Sequence, residues 1–160
     1  MTGSKTLGDQ YREARLAAAS SNEKLATHAG AAEVLEVGSP ETIGRWERDE
    51  TVPSNYNVRR MAQVYRAPEL ITNYCAEQCP LGKGRVPRAE NRPLEQVAIR
   101  FFGATEDISE DAKTLLMIAA NGSVDEHEIE SFRKIVKRLG GLKAAIHALQ
   151  IYTEKNGMDV

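Results

Sequence analysis

The chain has 160 residues, of which 41% are hydrophobic and 6% aromatic, and 21 Lys and Arg against 23 Asp and Glu give a net charge of −2. This length and apolar fraction suffice for one ordinary domain or two small ones. The balanced charge excludes a histone-like cationic protein and an acidic disordered tail. No apolar run approaches the length of a membrane span, and the polar start of the chain is unlike a secretion signal. Two cysteines make no disulfide framework, so we expect a cytoplasmic protein.

Apolar residues recur with the helical period along residues 1–79 and nowhere alternate as in a strand. Five helices are predicted from these stripes, marked by Leu7, Tyr11, Ala14 and Ala18; Leu25, Ala29, Ala32 and Leu35; Ile43 and Trp46; Val58, Met61, Ala62 and Tyr65; and Leu70, Ile71 and Tyr74. Ser21 is the expected N-cap of the second helix, in which Gly30 is a weak point. Ser39 is the expected cap of the third helix, and Pro40 suits its first position.

A Gly- and Pro-rich stretch without periodicity, residues 80–92, follows and is predicted to be a linker. It carries four cations, Lys83, Arg85, Arg88 and Arg92, against the single acid Glu90. Residues 1–79 hold 9 basic and 11 acidic side chains, and residues 93–160 hold 8 and 11. The basic excess of the chain therefore lies in the linker.

A heptad pattern distinguishes the last segment, residues 93–160. Leu94, Phe101, Ile108 and Leu115 recur every seven residues, and Ala98, Thr105, Ala112 and Ala119 fill the second seam. We expect one long helix over residues 93–121, closed at Asn121-Gly122, and a second that Ser123 caps and that is hinged or split at Gly140-Gly141. Such an α-helical hairpin leaves an apolar stripe that either the first domain or a second copy has to cover. We favour a homodimer through residues 93–158.

The segment from Ala31 to Pro53 has the pattern of a helix-turn-helix: a helix, the turn Gly38-Ser39, and a short capped helix with polar residues. Here the chain resembles the XRE class of lambda-repressor/Cro-like transcriptional regulators. The residues that carry the resemblance are Arg12-Glu13-Ala14-Arg15-Leu16, Gly30-Ala31-Ala32-Glu33-Val34-Leu35, Thr42-Ile43-Gly44-Arg45-Trp46-Glu47, Val58-Arg59-Arg60-Met61-Ala62-Gln63-Val64-Tyr65, and Ala67-Pro68-Glu69-Leu70. With Asn73-Tyr74-Cys75 and Cys79-Pro80-Leu81-Gly82-Lys83, it looks like a Firmicutes-type subgroup with a C-terminal helical hairpin.

The resemblance implies an all-α protein with a five-helix lambda-repressor-like DNA-binding domain over residues 1–79, followed by a long helical hairpin. It implies a repressor-like regulator that binds double-stranded DNA and reads the major groove with helix 40–48. By position, Glu47 matches the acidic residue that ends the third helix in this class, and Arg15 matches the arginine that pairs with it. A bidentate Arg–carboxylate bond of this kind is a structural link between two helices and not a contact to DNA.

Six residues are left as the predicted DNA-binding set on the third helix: Ser39, Glu41, Thr42, Gly44, Arg45 and Arg48. Arg45 is the expected base contact, since a guanidinium binds guanine O6 and N7 together. Thr42 suits a thymine methyl group or a phosphate, and Arg48 a phosphate. Glu41 repels phosphate unless it accepts from cytosine N4. An ordinary solvated surface is the alternative for each arginine, and packing is favoured over base stacking for Trp46.

Other candidate chemistry is weak. Cys75 and Cys79 lie one helical turn apart, but no nearby third ligand completes a metal site, so reduced thiols are the favoured interpretation. The run from Asp125 to Glu130 lacks the second histidine of a metal-binding helix. We therefore expect neither an enzyme nor a cofactor or metal. The alternative to a regulator is a non-catalytic adaptor or antitoxin-like interaction module on a helix-turn-helix scaffold, which the acidic balance of residues 1–79 favours.

Overall fold

A computed structural model describes residues 5–89, 92–120 and 122–158. Over these ranges the chain forms eight α-helices, one 3-10 helix and no strand, so the predicted all-α class is confirmed. The α-helices are α1 (Leu7–Ala18), α2 (His28–Leu35), α3 (Pro40–Glu47), α4 (Asn55–Tyr65), α5 (Glu69–Glu77), α6 (Leu94–Thr105), α7 (Ile108–Ala119) and α8 (Ile129–Lys155), and the 3-10 helix is Glu23–Ala26. Within the same ranges, none of the helices has the length and apolar character that a bilayer crossing requires.

Local side-chain caps fix where the N-terminal helices begin. Thr6 and Asp9 form a reciprocal capping box at the start of α1, in which each side chain accepts from the other's backbone N–H. Ser39 Oγ accepts from the Glu41 N–H at 3.1 Å, and Pro40 occupies the first position of α3. The predicted cap and first-position proline of the third helix are therefore confirmed. Ser54 caps α4 in the same way.

The second predicted helix is interrupted. Its first part is the 3-10 helix Glu23–Ala26, which Asn22 caps in place of Ser21, and Thr27 is extended and caps α2. The reason is visible at Gly30, where a Cβ atom would lie 2.0 Å from the Lys24 carbonyl oxygen. The 3-10 backbone crosses the first turn of α2 so closely that only glycine fits. Gly30 is therefore a packing requirement and not the weak point that helix propensity suggests.

The described residues divide into two compact units, one of residues 5–88 with 154–158 and the other of residues 89–153. The core of the first unit draws on all five of its α-helices and on the 3-10 helix. Its largest members are Leu7, Tyr11, Leu25, Leu35, Ile43, Trp46, Val58, Met61, Tyr65 and Leu70. A Cβ at Gly8 would lie 2.6 Å from the Glu47 carbonyl oxygen, so α1 and the end of α3 are in close contact.

The first part of the predicted linker packs on α5. The backbone N–H groups of Gly82 and Val86 donate to the carbonyl oxygens of Cys79 and Gly82 in consecutive turns. A Cβ at Gly82 would lie 2.2 Å from the carbonyl oxygen of Cys75 in α5. Residues 80–88 accordingly belong to the first compact unit.

In the second unit the long helix predicted over residues 93–121 is broken into α6 and α7 at Glu106-Asp107. Thr105 Oγ1 turns back and donates to the Phe101 and Phe102 carbonyl oxygens at the end of α6. Arg138 of α8 then binds Asp107, at 3.3 Å, and the buried carboxylate of Asp111. The start of α7 is thus held by an ion pair with α8, which lies outside residues 93–121.

The second predicted helix of this unit differs as well. α8 begins at Ile129, after a turn in which Asp125 and Glu128 bond to each other, so Ser123 does not cap it. It is also continuous through Gly140 and Gly141, and the predicted hinge or split is wrong. Asn121, half of the predicted closing turn, lies outside the described residues, whereas Gly122 has the expected positive φ of 77°.

The buried seam of α6 and α7 is heptad-spaced but shifted from the predicted one. Val97, Asp111 and Ile118 are buried, and Ala104 between them is half-buried. By contrast, Leu94, Phe101 and Ile108 of the predicted seam are 37 to 43% exposed. The two helices therefore carry an exposed apolar seam, and the chain itself buries a second row, which begins at Val97 and includes the ion-paired Asp111.

Candidate nucleic-acid interface

Helices α2 and α3 are joined by four residues, Glu36 to Ser39. Glu36 takes the left-handed conformation at φ 55°, and its N–H and that of Val37 return to carbonyl oxygens in the last turn of α2. Ser39 is extended and caps α3. The turn is therefore bonded to the last turn of α2 at one end and caps α3 at the other.

α3 has one buried and one polar face. Ile43 and Trp46 are 1% and 5% exposed and belong to the core, so Trp46 packs as predicted. Of the six predicted DNA-binding residues, Glu41, Arg45 and Arg48 are exposed, and Ser39 and Thr42 are half-buried. These five lie along the same short helix and its cap.

Gly44 is the exception, because it is buried and not exposed as the sequence interpretation has it. The position where its Cβ would stand is 2.9 Å from Arg48 Nη1 and 3.4 Å from His28 Cε1. The Arg48 side chain lies across Gly44 and covers it. The predicted exposure of Gly44 is therefore wrong, whereas its predicted contact to DNA stays a prediction.

The structure brings Arg15 and Glu47 together in a bidentate pair. Arg15 Nε and Nη2 donate to the two carboxylate oxygens of Glu47 at 2.6 and 3.0 Å, and both side chains are at most 6% exposed. Arg15 Nη1 also donates to the carbonyl oxygens of Leu25 and Ala26. The guanidinium thus joins α1, the 3-10 helix and the end of α3, and fixes the orientation of α3.

His28 is a member of this cluster that sequence reasoning missed. Its Nε2 lies 3.0 Å from Glu47 Oε2. Burial alone would raise the pKa of the Glu47 carboxyl, but the hydrogen bonds from Arg15 and His28 outweigh it, and the pKa is lowered. An isolated histidine after Thr27 gave no sequence signal, because its partner is 19 positions away. The cluster borders a cleft of about 420 Å³ that Arg12 and Arg48 also line.

Both arginines of the polar face have glutamate partners. Arg48 Nη2 donates to Glu41 Oε1 at 2.8 Å, and Arg48 Nε donates to Glu50 Oε1 at 2.6 Å. Arg45 Nε lies 3.9 Å from the other oxygen of Glu50. The hydrogen bonds from Arg48 lower the pKa of the Glu50 carboxyl. We call Glu41, Arg45, Arg48 and Glu50 the α3 charge cluster; its net charge is zero.

The remaining candidates do not form a site. Cys75 and Cys79 are free thiols at the end of α5, and burial raises the pKa of the Cys75 thiol. In the described part of the chain, no three His, Cys, Asp or Glu side chains are grouped so as to hold a metal ion. The arrangement on α3 is thus a set of hydrogen-bonding and charged groups on a rigid helix, suited to recognition.

Comparison of the chain with protein-family models, with curated proteins and with solved structures found no match.

Proposed function

We propose that this protein is a sequence-specific DNA-binding transcriptional regulator, of repressor type, whose α3 enters the major groove. The observation that carries the proposal is the division of α3 into a core face, with Ile43 and Trp46, and an exposed polar face with Arg45 and Arg48. A helix of this diameter fits the major groove, where arginine and threonine side chains reach base edges. In this proposal Arg45 contacts a base, Thr42 a thymine methyl or a phosphate, and Arg48 a phosphate.

The way α3 is held supports the same proposal. A recognition element needs a fixed orientation on its scaffold, since discrimination between bases depends on hydrogen-bond geometry. The buried pair of Arg15 and Glu47 and the close approach of Gly8 to Glu47 anchor the C-terminal end of α3, and the Ser39 cap anchors its start. Together with the resemblance to XRE-class regulators, this favours a lambda-repressor-like arrangement of α1 to α5.

The experiment that tests the proposal is selection from random duplexes, followed by binding to the selected and to unselected DNA at two salt concentrations. A regulator enriches a defined site and shows a specificity ratio and a salt slope. Arg45→Ala is expected to cost about 1–3 kcal/mol at one base position. Arg133→Ala, which removes an exposed charge from α8, is the matched control and leaves affinity unchanged. Failure to enrich any sequence refutes the proposal.

We propose in addition that a second copy of the chain covers exposed apolar side chains of the second unit, among them Leu94, Phe101 and Ile108 of the predicted seam. Twelve large apolar side chains of the second unit are at least 36% exposed: Leu94, Ile99, Phe101, Phe102, Ile108, Leu116, Met117, Val124, Ile129, Val136, Leu139 and Ile146. At roughly 100 Å² for each fully exposed side chain, they offer on the order of 600 Å² of apolar surface. This sum is the upper limit of the apolar area that one interface could bury, and each partner of a stable interface contributes ~800 Å² of polar and apolar surface together.

A two-fold dimer also suits the DNA-binding proposal, since two α3 helices would then address half-sites about one helical turn apart. Sedimentation of the full chain is expected to give a dimer at micromolar concentration. Phe102→Glu, which places a charge among the exposed apolar residues, is expected to give a monomer, whereas Arg100→Glu on the same helix tests for a mere charge effect. A wild-type monomer refutes the dimer proposal and leaves the proposal for α3 intact.

The second candidate function is a non-catalytic adaptor or antitoxin-like module that binds protein through the helix-turn-helix surface. The observation in its favour is the α3 charge cluster, in which Arg48 is bound by two glutamates and the net charge is zero. A surface of this kind gains little from the phosphate backbone. Random-duplex selection without enrichment, together with a flat salt dependence, favours this candidate.

A further inference from the structure

The α3 charge cluster contains two glutamates beside its two arginines, whereas a surface that binds phosphate needs only the arginines. Glu41 is seven positions before Arg48, or about two helical turns, and Arg48 reaches back along the helix to bind it. Glu50 follows α3 and binds Arg48 through two further hydrogen bonds, at 2.6 and 3.2 Å. All four side chains of the cluster are between 47% and 70% exposed, so the pairs are made at the surface and not in the core.

Gly44 takes part in this arrangement. Arg48 Nη1 lies 2.9 Å from the place where a Cβ of Gly44 would stand, so a side chain at residue 44 would require the end of Arg48 to shift. The glycine also costs about 1 kcal/mol of helix propensity relative to alanine. The pair between Arg48 and Glu41 is exposed, and exposed pairs contribute at most about 1 kcal/mol, so stability alone gives little reason for it.

Exposed carboxylates beside arginines have a definite effect on DNA binding. Each guanidinium that neutralises a phosphate adds to non-specific affinity through counterion release, irrespective of sequence. A guanidinium already bound to carboxylates adds less, and the carboxylates repel the backbone. Glu41 regains this loss only where a cytosine N4 amino group faces it, because a carboxylate accepts from that group. The repulsion therefore weakens binding to non-cognate sequences more than binding to the cognate site.

We propose that Glu41 and Glu50 are specificity-determining residues, which occupy donors of Arg48 and so suppress binding to duplexes that lack the cognate site. This inference rests on the proposed DNA-binding function of α3. It assigns the acidic residues of the recognition surface to discrimination, and it predicts a C·G pair in each half-site at the position that Glu41 faces.

The test compares wild type with Glu41→Gln/Glu50→Gln on the selected duplex and on random duplexes of equal length, from 50 to 200 mM salt. Release of one guanidinium group is expected to steepen the salt slope on random DNA by up to about 0.9, which corresponds to roughly threefold over this salt range. The specificity ratio is expected to fall by a similar factor, with loss of the preference for cytosine. Glu13→Gln, which breaks the exposed pair with Lys5 on α1, is the matched control and leaves the slope unchanged.

Gly44→Ala gives a second route that keeps both carboxylates. The added methyl group displaces the end of Arg48, and we expect the same direction of change on random DNA, with a smaller size. If wild type selects a sequence but neither variant alters random binding, the inference is overturned and the proposed function stands. If wild type selects no sequence at all, the proposed function fails and the inference with it.

Discussion

Replacement of Glu47 by glutamine tests the link that orients α3. The Arg15 guanidinium is 3% exposed and donates to both oxygens of Glu47 and to the carbonyl oxygens of Leu25 and Ala26. Glutamine keeps the shape of the side chain but removes its charge, so Arg15 stays buried without a counter-ion. The loss of one partner of a buried pair costs about 3–5 kcal/mol, whereas an exposed pair is worth about 0.2–1 kcal/mol. We expect Glu47→Gln to fall in the first range.

The measurement is urea unfolding followed by circular dichroism, with the free energy of unfolding taken by linear extrapolation. Glu13→Gln, which removes the same charge from the exposed pair with Lys5, is the control and is expected to cost less than about 1 kcal/mol. Arg15→Met/Glu47→Gln is expected to recover part of the loss, because no buried charge remains. A cost for Glu47→Gln as small as that of the control contradicts the reasoning and makes the pair effectively solvated.

Three further predictions concern stability. The pKa of the Glu47 carboxyl is lowered in the folded state, so the stability that this carboxylate contributes is present above the unfolded pKa of about 4.3 and is lost as the pH falls through the folded pKa. On acidification, the difference in free energy of unfolding between wild type and Glu47→Gln is therefore expected to shrink. A difference that does not change with pH would contradict this prediction. Gly30→Ala is expected to lower the free energy of unfolding in urea by about 1–3 kcal/mol, although alanine has the better helix propensity, because the added Cβ would stand 2.0 Å from the Lys24 carbonyl oxygen. A stabilised variant would show that the 3-10 helix moves away freely. Arg66→Gly is expected to raise the free energy of unfolding by about 0.5–1 kcal/mol, because Arg66 ends α4 in the left-handed conformation at φ 53°; a lower melting temperature than that of wild type would refute it.

Several features of the fold follow from residues close together in the sequence. The start of α3 is fixed by Ser39 and Pro40, because a capping hydroxyl and a proline act on backbone groups within three positions. The core residues Ile43 and Trp46 follow from helical periodicity in the same way. The pairing of Arg15 with Glu47 was predicted only through the resemblance to XRE-class regulators, because the two residues are 32 positions apart.

Other features depend on contacts between elements that periodicity does not report. The heptad pattern predicts a seam that begins at Leu94, and only packing decides that the chain buries Val97 and Ile118 and leaves Leu94 exposed. The two helical glycines Gly30 and Gly44 show the same limit, since helix propensity marks both only as weak helix formers. In the structure, the 3-10 backbone passes close to Gly30, and the guanidinium of Arg48 lies over Gly44.

The sequence by itself therefore determined the all-α class and the cap and core residues of α3, since these depend on side chains acting on backbone a few residues away. Tertiary structure alone decided that His28 binds Glu47 and that Arg138 binds Asp107 and Asp111 beside the break between α6 and α7. The physical reason is that a side chain's partner and exposure depend on which elements pack around it, and in most of these pairs the partner lies many positions away along the chain.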